Sequence, residues 1–124
     1  HNPNLVYLNA RGCGIEAMDL TACTKLRTLI VSDNNLSELD IKSLTSLSYL
    51  ELIGNRMSKE ALASVITSLP KVDAKIPGKL FLGRNPGATV VDIVPAQDKN
   101  WKVDIERDKG DNHIDRPKLD GEKW

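Results

Sequence analysis

Residues 26–41, Leu26-Arg27-Thr28-Leu29-Ile30-Val31-Ser32-Asp33-Asn34-Asn35-Leu36-Ser37-Glu38-Leu39-Asp40-Ile41, place apolar side chains and one asparagine at fixed intervals. Sliding the chain by 21 residues superimposes this stretch on its neighbours. Leu5, Leu26 and Leu47 fall in one column, Leu8, Leu29 and Leu50 in a second, and Ala10, Val31 and Leu52 in a third. Ile15, Leu36 and Met57 continue the match, followed by Met18 with Leu39, Leu20 with Ile41, and Cys23 with Leu44. A column of another kind runs Cys13, Asn34, Asn55. The unit is L-x-x-L-x-L-x-x-N-x-L-x-x-L-D-L, and periodicity of this length is the signature of a stacked architecture.

Downstream the unit is stretched once. Leu50, Leu52 and Asn55 reappear 30 positions later as Leu80, Leu82 and Asn85. A further 21 residues on, Trp101 and Val103 take the leucine places and Glu106 the asparagine place. Five short strands are therefore expected, near residues 6–10, 27–31, 48–52, 78–82 and 100–104. In L-x-L both leucines leave the same side of a strand. Parallel stacking of such strands builds a continuous leucine layer, each buried leucine contributing roughly 1.5–3 kcal/mol. The asparagine is expected to serve backbone groups of its own turn and the next one, which burial would otherwise leave unpaired.

The added length reads as a helix. Leu62, Val65, Ile66 and Leu69 are spaced i, i+3, i+4, i+7. Ser58 is placed to cap it, Glu60 lies in its first turn, and Pro70 stops it. Lys71 to Gly78 reads as a loop, Asn85-Pro86-Gly87 as a turn, and Asp92 as the cap of a short helical turn before Lys99.

These residues resemble the leucine-rich-repeat family, specifically the 21-residue L-D-L-type repeats of surface proteins from Bacteroidetes-like bacteria. Asn85-Pro86-Gly87, Ala96, Lys99 and Trp101-Lys102-Val103 are similar to the terminal segment of such arrays. The resemblance covers roughly residues 4–104 and departs from the family at Cys13, which replaces the first asparagine. It implies an α/β right-handed solenoid of about five short parallel strands, with one helix-containing repeat and a C-terminal cap. It also implies a secreted or cell-surface location. The domain expected is 1–104, with 105–124 as a polar tail or linker.

In that family the x positions of L-x-x-L-x-L face a concave surface that commonly binds protein. Carried over by position, one column holds Val6, Arg27, Ser48 and Gly78, and a second Tyr7, Thr28, Tyr49 and Lys79. A third holds Asn9, Ile30, Glu51, Phe81 and Lys102. The candidate binding residues are Tyr7, Arg27, Ile30, Tyr49, Glu51 and Phe81, expected to face solvent. Tyr and Arg are frequent binding hot spots because they combine contact area with a polar handle. On this reading, alanine at Tyr49 and Phe81 weakens partner capture and leaves the melting temperature unchanged.

Composition narrows the function classes. Of the 124 residues, Lys plus Arg and Asp plus Glu each total 17, so no global field favours nucleic acid or an anionic membrane. No apolar run approaches the roughly 18 residues of a membrane span. The opening His1 fits a mature or excised chain, from which any export signal would already be gone. Cys13 and Cys23 have no metal-ligand spacing, and Cys23 is expected to be buried as a small hydrophobe. Asp104, Glu106 and Asp108 begin like a calcium loop, but Gly110 falls at the seventh place and the pattern fails. Trp124 fits a docked tail or a cut chain.

The two histidines, His1 and His113, lie outside the repeats, and no nucleophile elbow, zinc-protease or phosphate-loop motif is present. No cofactor, metal or catalytic residue is expected. The readings in order are a protein-recognition module with a glycan as alternative ligand, a spacer of a larger surface protein, and a hydrolase using carboxylates such as Asp19, Asp40 and Glu51.

Overall fold

The computed structural model describes residues 3–105. Five short strands, β1 (Tyr7–Asn9), β2 (Thr28–Ile30), β3 (Tyr49–Glu51), β4 (Gly78–Phe81) and β5 (Trp101–Asp104), form one open sheet in sequence order. Every pairing is parallel. The register lays Leu8, Leu29, Leu50, Leu80 and Val103 in one line across the sheet. The architecture is α/β, with two helices, α1 (Lys59–Ser68) and α2 (Val94–Gln97).

The register corrects one expectation. Trp101 pairs with Gly78 and Val103 with Leu80, two residues from the sequence alignment of β5. A shift of two preserves the side from which each side chain leaves, so alternation alone does not separate the two registers. Packing does. A Cβ on Gly78 would meet the Trp101 ring, and the absent side chain is what lets the indole settle there. Trp101 is 2% exposed, and its Nε1 donates to the Pro70 carbonyl at 2.7 Å.

Leu26, Leu29, Val31, Leu36, Leu47, Leu50, Leu52, Leu80 and Leu82 gather in the main core on one side of the sheet. Cys23 belongs to it as expected. The cluster loosens toward β1, where Leu5, Leu8, Ala10, Ile15 and Met18 are only partly buried.

The asparagine column ties successive turns together. Asn55 Nδ2 donates to the Val31 and Leu52 carbonyls at 3.0 Å each, and Oδ1 accepts from the Leu36 amide at 3.0 Å. Asn34 does the same with Ala10, Val31, Cys13 and Ile15, and Asn85 with Leu52, Leu82 and Met57. Each amide therefore bridges its own turn to the preceding one, not to the next.

Ser58 caps α1 by accepting from the Ala61 amide at 3.2 Å, and Leu62, Val65 and Ile66 turn into the main core. The last turn of α1 carries no basic residue. Lys99, from beyond α2, supplies the missing cation: its Nζ donates to the Thr67 and Leu69 carbonyls at 2.8 Å each, where the helix dipole favours positive charge. Asp92 Oδ1 accepts from the Val94 amide at 3.0 Å just ahead of α2. No described helix is long and apolar enough to cross a membrane.

Candidate functional site

Side chains that alternate with the leucines leave the opposite, outer face of the sheet. Strand pairing sets Tyr7, Thr28, Tyr49, Lys79 and Lys102 in one column and Asn9, Ile30, Glu51, Phe81 and Asp104 in the next. Lys102 thus belongs with Lys79, two residues from its expected place, for the reason given by Gly78 and Trp101.

Four side chains on this face form a second apolar cluster, separate from the leucine core: Ile30, Tyr49, Ile53 and Phe81. The Tyr49 and Phe81 rings meet at 5.5 Å between centroids with planes tilted by 48°, within the favourable range for aromatic pairs. Beside them Glu51 is fully buried. Its Oε2 accepts from Arg11 Nη2 and from Ser32 Oγ, each at 2.7 Å, and its Oε1 from the Tyr49 hydroxyl at 2.9 Å. A buried carboxylate needs such pairing to offset desolvation. Partial burial pulls the Arg11 guanidinium down, but its hydrogen bond to Glu51 and the charge of Glu51 raise it above its ordinary range.

The exposure expected of the candidate residues is therefore corrected for four of them. Ile30, Tyr49, Glu51 and Phe81 are buried. Tyr7 is exposed and outside the cluster, and Arg27 is exposed one residue before β2. Alanine at Tyr49 and Phe81 would consequently lower stability as well as any binding, since removing a buried Phe alone costs about 3–5 kcal/mol. Sequence reading passed over Arg11, Ser32 and Ile53. Each lies two residues beyond a strand column, at Asn9, Ile30 and Glu51, so continuing the alternation past the strand ends would have found them.

Asp19 and Asp40 do not join this site. Asp19 and Asp40 each accept the backbone amide two residues on, from Thr21 and Lys42, at 3.0 Å, which closes the turns of their L-D-L segments. Among the described residues no group of His, Cys, Asp or Glu has the arrangement to hold a metal ion. Glu106, Asp108 and the rest of the segment 106–124 lie outside the described residues. No protein-family model matches the chain, and no curated protein is similar to it.

Proposed function

We propose that this chain is a leucine-rich-repeat solenoid that works as a protein-recognition module, through its outer, concave sheet face, and not as an enzyme. One observation carries the reading: the outer face presents exposed Tyr7, Arg27 and Lys79, while a buried aromatic–aliphatic centre distinct from the leucine core holds the face in shape. Part-exposed Arg11 joins them, paired with buried Glu51. Tyr and Arg are enriched among the residues that carry binding energy at protein interfaces, and here both stand exposed on a preformed sheet face. The family resemblance of the 21-residue unit supports the same reading, and with it an extracytoplasmic location.

The test uses the rim, because the centre cannot be cut back without loss of stability. Peptides are selected from a displayed random library on the immobilised full chain, and their affinities measured for the unaltered chain and for Tyr7→Ala/Arg27→Ala/Lys79→Ala. The expected result is a loss of roughly tenfold or more, about 1.4 kcal/mol, at unchanged melting temperature. Unchanged affinity would move recognition off this face.

A further inference from the structure

Two arginines at the C-terminal ends of the strands are each met by a carboxylate. Arg11, just after β1, reaches Glu51 at 2.7 Å, and Arg84, just after β4, reaches Asp33 at 2.9 Å. Each pair spans two strand spacings. The first takes in Ser32, whose hydroxyl donates to the same Glu51 oxygen, and the second crosses Gly54, where a Cβ would meet both the carboxylate and the guanidinium. Lys79 and Lys102 are treated differently. They are Cα partners on β4 and β5, both exposed, and their side chains leave the outer face side by side. Neither makes an ion pair or a side-chain hydrogen bond among the described residues. Neighbouring strands lie about 4.8 Å apart, inside the Debye length of about 8 Å at physiological salt, so the two ammonium groups repel. The column does not call for cations, since it holds Thr28 on β2 and Tyr49 on β3. Nothing in the described fold offsets the repulsion.

We propose that Lys79 and Lys102 together are a recognition element of the outer face, and that the partner presents to them a short acidic segment of the form acid-x-acid. This rests on the reading of that face as a binding surface and names the chemistry its partner carries. Alternate side chains of an extended segment leave one side about 7 Å apart. Two lysines on neighbouring strands, each an ammonium on a flexible four-carbon stem, cover that span and exchange mutual repulsion for two attractive pairs. A long polyanion fits less well. A nucleic-acid backbone draws its affinity from an extended run of phosphate contacts. Here the basic pair is bounded by Asp104, in the next column beside Phe81, and Arg84 is already taken by Asp33. The chain as a whole balances 17 basic against 17 acidic residues, so no wider field supports a polyanion.

The test titrates the isotope-labelled full chain with two capped peptides, Gly-Glu-Ser-Glu-Gly and Gly-Gln-Ser-Gln-Gly, and follows the backbone amide resonances. The acidic peptide should shift the amides of Lys79 and Lys102 saturably, and the amide peptide should not. In Lys79→Gln/Lys102→Gln, which keeps the length of both exposed side chains close to that of the unaltered chain, the shifts should be lost. An acidic peptide that leaves β4 and β5 unmoved, or moves them equally in the variant, overturns the proposal. A further arm uses oligothymidylate: saturation of the same two amides at roughly tenfold lower concentration than with the acidic peptide would give the pair to a phosphate backbone, and would overturn it too. The recognition reading fails by a separate route, when library peptides lose no affinity in the triple alanine variant. Library peptides that do lose affinity there, beside an acidic pentapeptide that shifts nothing, would leave that reading standing and remove only the acidic partner.

Discussion

At the scale of single residues, the buried polar groups do more for this structure than their number suggests. Asn55 holds three backbone groups that have no route to water, and each unpaired buried group costs about 1–3 kcal/mol. Asn55→Ala is therefore expected to lower stability by about 3 kcal/mol or more, read from the urea midpoint. Cys13 stands in the same column but is exposed, so Cys13→Asn is expected to stay within about 0.5 kcal/mol of the unaltered chain. Asp19 provides the pH-dependent case. The Thr21 hydroxyl, then its amide, hold the Asp19 carboxyl below its ordinary value of 3.8. A carboxyl lowered on folding stabilises the fold above its unfolded value, and the contribution disappears as pH falls through the folded one. Asp19→Asn should thus lower the melting temperature slightly at neutral pH, with the difference closing in acid below pH 3.8. A difference that persists unchanged to the lowest pH would assign the effect to something other than the charge.

At the scale of elements, close approach decides where β5 sits and how α1 ends. Gly78 leaves room for Trp101, so Gly78→Ala should push the indole out of its place in the core. Overpacking of this kind costs about 1–3 kcal/mol. The measurement is a paired one: a lower denaturation midpoint with a red-shifted Trp101 emission, recorded in a Trp124→Phe background so that one indole reports. An unshifted emission would place the ring elsewhere. The cation that α1 lacks in its last turn comes from Lys99, about 30 residues later in the chain, so the helix is completed only once β5 and its approach have docked.

At the scale of the whole molecule, stability is graded along the sheet. Leu29 and Leu50 are fully buried, whereas Leu8 in the same line is only partly so. Leu29→Ala and Leu50→Ala should each cost about 2–5 kcal/mol. Leu8→Ala should cost less, nearer 1 kcal/mol. Equal losses at the three positions would mean that β1 is as well enclosed as the centre. Amide exchange should show the same gradient, with β1 opening before β2 to β4.

The repeat spacing, 21 residues stretched once to 30, by itself determined that β1 to β4 line up Leu8, Leu29, Leu50 and Leu80 and that Asn34, Asn55 and Asn85 recur at the turns, and local chemistry determined that Ser58 begins a helix. These depend on periodicity and on local chemistry, both of which are written along the chain. Tertiary structure alone decided the register of β5, because a shift of two residues leaves every side chain on its own face and only the fit of Trp101 against Gly78 distinguishes the alternatives. It also decided that Tyr49 and Phe81 are buried while Tyr7 is exposed. Alternation states which side of a sheet a residue leaves; what stands opposite depends on residues far away in sequence, and no local pattern carries that information.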